Sequence, residues 1–149
     1  VRTRERDDMT LRLALYKGPA QDLAHKLAHW AVCTFTRSPY SHCELVINGV
    51  CWSASARDGG VRGKVIDLHS GRWDVIDLPE QLSEADALAW FKAHDGLRYA
   101  WAGVMRFALP FLPLSVGRWF CSEACGAALG IGQAHKLTPR TLAAMFQPA

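Results

Sequence analysis

The chain has no apolar run long enough to cross a membrane. Its most apolar segment, residues 100–116, is broken by Arg106, Pro110 and Pro113 and falls short of the about 20 apolar residues a spanning helix needs. It has no block of Lys and Arg interleaved with aromatics. Arg57, Arg62, Lys64, Arg72, Arg106 and Arg118 are scattered and the net charge is only +3, which sets nucleic acid aside as a partner. It has no CxxC pair, and its five cysteines (33, 43, 51, 121 and 125) are odd in number, against both a disulfide framework and a zinc ribbon. No metal or cofactor is implied. His25 and His29 stand four apart on a helical pattern, but Lys26-Leu27-Ala28 between them lacks the glutamate of an HExxH zinc site, so the pair reads as a solvated face. No phosphate-loop pattern follows Asp58-Gly59-Gly60, and there is no repeat or low-complexity stretch.

What is present suits one compact domain: 149 residues, 50% hydrophobic, with six Trp. The polar opening, residues 1–8, reads as an upstream extension, with the domain covering 9–149. No apolar segment follows its arginines, so no secretory signal is expected and synthesis is expected to be cytoplasmic.

Residues 10–16 alternate polar and apolar, the mark of a half-buried strand closed by Lys17-Gly18-Pro19. Leu23, Leu27, Trp30, Ala31 and Phe35 recur at helical spacing, so 20–35 is expected to be an amphipathic helix. Four strands are expected next, at 43–48, 50–56, 61–67 and 73–78, joined through Asn48-Gly49 and Asp58-Gly59-Gly60 turns into an antiparallel meander. Ser83 caps a helix to about residue 94; 99–109 and 120–129 are further helices; Thr138-Pro139 opens a last one over 140–146. The order predicts an α+β fold, a small antiparallel sheet packed against helices.

Two segments carry chemistry. Cys121 falls at a helix start, where unpaired N–H groups and the positive dipole end favour thiolate. The backbone N–H groups of Cys121 and Ser122 are there placed for an oxyanion. Cys125, Cys33, Cys43 and Cys51 read as core residues. His42 opens a strand and shares a face with Glu44. A base histidine needs a partner on its other ring nitrogen. Glu44 is available but not ideally aimed from the same strand, while the facing strand offers the hydroxyls of Ser53 and Ser55.

Three motifs, Ser41-His42-Cys43-Glu44-Leu45-Val46, Trp52-Ser53-Ala54-Ser55 leading to Gly59-Gly60-Val61, and Phe120-Cys121-Ser122-Glu123, resemble the "SHxEL", "GGV" and "FCSE" motifs of the circularly permuted, NlpC-type papain-like cysteine hydrolases, with their phage, poxvirus and lecithin retinol acyltransferase-like relatives. The resemblance spans about residues 10–146. It implies a permuted papain-like fold, Cys121 as nucleophile, His42 as base, and a polar third residue. Many relatives place a glutamate on the second strand, where this chain has Ser53, leaving the third member open among Ser53, Ser55 and Glu44. The implied activity is a cysteine peptidase or amidase on bacterial cell-wall peptides, in a phage or bacterial protein delivered by a virion or lysis system. The alternatives are a lipid acyl hydrolase or acyltransferase, with Phe107, Leu109, Phe111, Leu112 and Leu114 as an apolar groove touching a lipid surface through 100–116, and a non-catalytic binding or virion module.

Overall fold

The computed structural model describes residues 11–19, 23–106, 109–113 and 117–148. The expected extension at 1–8, and Phe107 and Leu114 of the expected groove, lie outside them. Five strands, β1 (Arg12–Tyr16), β2 (His42–Ile47), β3 (Val50–Ser55), β4 (Gly60–Lys64) and β5 (Trp73–Asp77), form one antiparallel sheet in the order β4-β3-β2-β1-β5. Around it stand α1 (Leu23–Thr36), α2 (Glu84–His94), α3 (Trp101–Met105), α4 (Cys121–Ala128) and α5 (Pro139–Phe146), with a short 3-10 turn at Ala134–Lys136. The fold is α+β, as the order of elements predicts. Among the described residues no helix is long and apolar enough to cross a membrane.

The meander is correct only for β2, β3 and β4. The fifth strand does not continue it but crosses to the opposite edge and pairs with β1. Side chains hold it there: Trp73 packs edge-on against Tyr16 at 5.0 Å, and Asp74 takes the Lys17 ammonium at 2.6 Å and the Tyr40 hydroxyl at 2.6 Å. The β2–β3 hairpin closes as Asn-Gly demands, with φ of 50° at Asn48 and 76° at Gly49.

Period-two alternation divides the sheet. Leu13, Leu15, Cys43, Leu45 and Ile47 point to the helices and pack with Phe91, Val104, Phe120, Ala124 and Leu142; Ala14, Val46 and Cys51 point the other way, under Ile66, Leu68 and Trp73. Burying each large side chain contributes about 1.5–3 kcal/mol, enough to seat α4 firmly on β2 and β3.

Caps fall where the residue types place them. Ser83 Oγ accepts from Asp86 N–H at 3.1 Å, and Thr138 Oγ1 from Thr141 N–H at 3.0 Å. The helix expected over 99–109 is shorter, because its first residues are engaged elsewhere: Arg98 bridges Gly60 and Tyr99 bridges Trp119, so α3 begins only at Trp101. Gly60 makes this closure possible. A Cβ there would collide with the Leu97 carbonyl oxygen, which instead accepts the Val61 N–H at 2.8 Å.

Candidate active site

Phe120 is extended, with φ −113° and ψ 169°, and the chain turns helical at Cys121. The thiol therefore sits on the first residue of α4, beside N–H groups that have no partner within the helix. Cys121 touches the end of the sheet where β2 begins. The Cys43 thiol and the His42 imidazole lie against its sulfur. The Cys43 contact, followed by the imidazole's hydrogen bond and charge, holds the Cys121 thiol well below its ordinary value against the opposing effect of burial. Burial, with the contacts to Cys121 and Cys125, pushes the Cys43 thiol up.

On the other side of the ring, His42 Nε2 lies 2.7 Å from Glu44 Oε1. With Nε2 so engaged, Nδ1 is the nitrogen left for the thiol. Burial works against imidazolium, but the charge of Glu44, with the hydrogen bonds to Cys121 and Glu44, raises His42 to about 10. Glu44 has no exposed side-chain surface. Burial would protonate it, but hydrogen bonds and charges from Arg62 and His42 keep it ionised, below the usual carboxylate range. Arg62 binds both oxygens, Nη1 to Oε2 and Nη2 to Oε1, each at 2.7 Å. Arg62 Nε in turn meets Asp58 Oδ2 at 2.7 Å, and Lys64 reaches Asp58 Oδ1 at 3.4 Å. Glu44, Arg62 and Asp58 form a row of alternating charges that ends at the His42 imidazole, with the Cys121 thiol beyond it.

Of the three candidates for the third position, Glu44 is the one that meets the imidazole. Ser53 donates to the Cys43 carbonyl at 2.7 Å and Ser55 accepts from the Asp58 N–H at 3.3 Å, so both hydroxyls serve the backbone of the sheet and its turn. The doubt about aiming Glu44 from the same strand is resolved by Arg62, whose fork fixes the carboxylate. Arg62, Asp58 and Cys43 were not singled out as site residues. Their signal was a glutamate in an otherwise apolar strand, which requires a buried cation, and the Asp58–Arg62 spacing across a two-glycine turn. Glu123 Oε2 accepts from Phe120 N–H at 3.4 Å, and burial raises this carboxyl to about 7. Ser122 Oγ donates to the Leu137 carbonyl at 2.7 Å, tying the helix start to the segment before α5. His29 lies on α1, remote in sequence from the site; the side chain of His25 lies outside the described residues.

A cavity of about 310 Å³ opens beside His42 and Glu44. Arg57, Asp58, Arg62, Lys64 and Arg72 give it a charged wall, and Trp73, edge-on to the imidazole at 6.4 Å, an aromatic one. Ser41, nearly buried, lines it with a hydroxyl that finds no partner among the described residues. Tyr99 lines it as well; burial and the nearby charges of Cys121 and Cys43 push its phenol up. The cavity approaches the histidine side of the pair, while Cys121 itself is only 3% exposed.

No known protein-family model matches the chain, and no curated protein matches it in sequence.

Proposed function

We propose that the protein is a cysteine hydrolase, a peptidase or amidase that works through a thioester acyl-enzyme. The observation that carries this reading is the thiol on the first residue of α4, set beside an imidazole whose Nε2 meets a buried carboxylate at 2.7 Å. Cys121 thiolate attacks the amide carbonyl carbon, and the electron pair of the C=O moves to oxygen. Backbone N–H groups of Cys121 and Ser122 stabilise that oxyanion. His42 gives its proton to the leaving nitrogen as the C–N bond breaks, then takes one from the water that cleaves the thioester. Glu44 holds the ring through both steps, as a carboxylate does in comparable triads.

The charged wall of the cavity favours a polar substrate. With the motif resemblance to permuted NlpC-type hydrolases, it points to peptides of the bacterial cell wall, and to a phage or bacterial protein that reaches that wall through a virion or lysis system. Incubation with cell-wall peptides, followed by intact-protein mass spectrometry under acid quench, tests this. An acyl adduct on Cys121 and released amine are expected, both lost in Cys121→Ala. A Cys121 that labels with iodoacetamide no faster than a free thiol at neutral pH would leave a non-catalytic binding or virion module as the better reading.

A second reading, a lipid acyl hydrolase or acyltransferase, draws on the segment between α3 and α4. Phe111 is 80% exposed and Leu109 39%, and no carboxylate occurs from Leu97 to Ser122. Gly103 and Val104 of α3, just before that segment, are buried, and none of these residues lines the cavity at His42. Co-sedimentation with anionic vesicles, abolished by Phe111→Asp, would favour it; an unbound protein that acylates on peptides favours the first.

A further inference from the structure

Glu44 is attached two residues along the same strand as the ring it must hold, with three freely rotating bonds between its backbone and its carboxylate. Nothing in β2 itself fixes where that carboxylate points. The groups that face it are His42 on its own strand, Arg62 on β4 with Asp58 and Lys64 behind, and the Cys51 thiol on β3; Cys121, Cys43 and Tyr99 lie beyond the imidazole. Of these only Arg62 touches both carboxylate oxygens. A bidentate fork fixes a carboxylate plane in a way that a point cation does not. Arg62 is itself held at Nε by Asp58, four residues back across the Gly59-Gly60 turn.

We infer that Arg62, set in place by Asp58, is the positioning residue of this site: it clamps Glu44 so that Oε1 meets His42 Nε2, and through that contact turns Nδ1 toward Cys121. The inference rests on the hydrolase reading for its biological meaning, but concerns a geometry that can be tested without substrate. Its consequence is electrostatic. Without Arg62, a fully buried Glu44 takes up a proton, the imidazolium loses its counter-charge, and the thiolate loses its partner in turn. Arg62 acts at two removes from the sulfur, so its loss registers as a change in the pH at which the sulfur ionises.

The test is the pH dependence of Cys121 alkylation by iodoacetamide, site-resolved by mass spectrometry, in the wild type, Arg62→Met, Arg62→Lys and Asp58→Asn, with folding checked by circular dichroism. In Arg62→Met the alkylation midpoint is expected to rise by about one pH unit or more, given that an opposite charge at contact distance moves a pKa by about 1–3 units. Arg62→Lys keeps the charge but not the fork, and is expected to recover only part of that shift. Asp58 is partly exposed, so Asp58→Asn decides the matter if Arg62→Met does not fold, with a smaller shift in the same direction. A wild-type profile in folded Arg62→Met, or in Asp58→Asn where that variant decides, overturns the inference. A wild-type Cys121 with no enhanced reactivity overturns the hydrolase reading instead, so the two failures are distinct.

Discussion

The charge pair at Cys121 and His42 exists within a pH window, and the signs of the two displacements fix its edges. The Cys121 thiol lies well below its ordinary value and His42 is raised to about 10. Acid removes the thiolate when pH falls through the depressed thiol pKa; alkali removes the imidazolium as pH rises through about 10. If the protein is the proposed hydrolase, the rate of thioester formation should therefore hold a plateau and fall on both sides. His42→Ala should shift Cys121 labelling toward that of a free thiol, near pH 8.5. Stability follows the same groups. The contribution of His42, whose folded pKa is raised, is complete below its ordinary range and is lost as pH rises through about 10. That of Glu44, whose folded pKa is lowered, is present above the ordinary carboxylate range and is lost as pH falls through its folded value. Two serines separate the roles of neighbouring hydroxyls. Ser53→Ala should cost about 1 kcal/mol for its buried bond to the Cys43 carbonyl and leave the labelling profile alone, as chemical denaturation and alkylation measure. Under the proposed hydrolase activity, Ser41→Ala should raise KM by a factor of about three or more at constant thiol reactivity, since its hydroxyl lines the cavity with no partner to lose among the described residues. At this scale Cys121 and His42 were legible, because a helix start and a strand start each reveal themselves in local residue types. The aim of Glu44 was not, because it depends on a guanidinium 18 residues away.

At the scale of elements, the segments that build the site were legible and the place of β5 in the sheet was not. Asn48-Gly49, Ser83 and Thr138-Pro139 mark their turn and caps by chemistry that needs no tertiary information. The placement of β5 depends on Trp73 meeting Tyr16 and on Asp74 meeting Lys17 and Tyr40, contacts between distant positions that no periodicity encodes. The short α3 has the same origin: an apolar, helix-prone run gives up Tyr99 to a bridge with Trp119, next to the bridge between Arg98 and Gly60. That bridge also links the turn carrying Asp58 to the residues that lead into α4, with Tyr99 N–H donating to the Gly59 carbonyl at 2.9 Å and Ala100 N–H to the Trp119 carbonyl at 2.8 Å. Gly60→Ala forces this junction apart. It should destabilise the fold by about 1–3 kcal/mol, the usual range for overpacking, and should slow Cys121 labelling by more than the stability loss explains. Thr138→Ala, a comparable loss of about 1 kcal/mol at an N-cap away from the junction, should leave labelling unchanged. Thermal melts and alkylation rates on the two variants separate the junction's role from stability in general.

For the whole molecule, the row of charges through β2 and β4 sets stability against function. Glu44 is fully covered and Arg62 mostly so. Burying such groups carries a desolvation cost that their mutual attraction only partly or barely offsets. A sheet of this size gains more from apolar packing at those positions, as Ala14 and Val46 on the same face illustrate. Removing one partner is a different matter, since it strands the other charge. Arg62→Met should thus destabilise the protein by roughly 3–5 kcal/mol, the range for breaking a buried pair. Glu44→Leu combined with Arg62→Met strands neither member of the pair, and should recover most of that loss. The recovered protein should nevertheless alkylate Cys121 only as a free thiol does, because the imidazole has lost the carboxylate that charges and orients it. Urea unfolding of the single and double variants, read beside their alkylation profiles, distinguishes a network kept for chemistry from one kept for the fold. A double variant as reactive as the wild type would assign the network to the fold. A stable but unreactive one ties the buried charges to the thiol, and explains why a small sheet carries them through its interior.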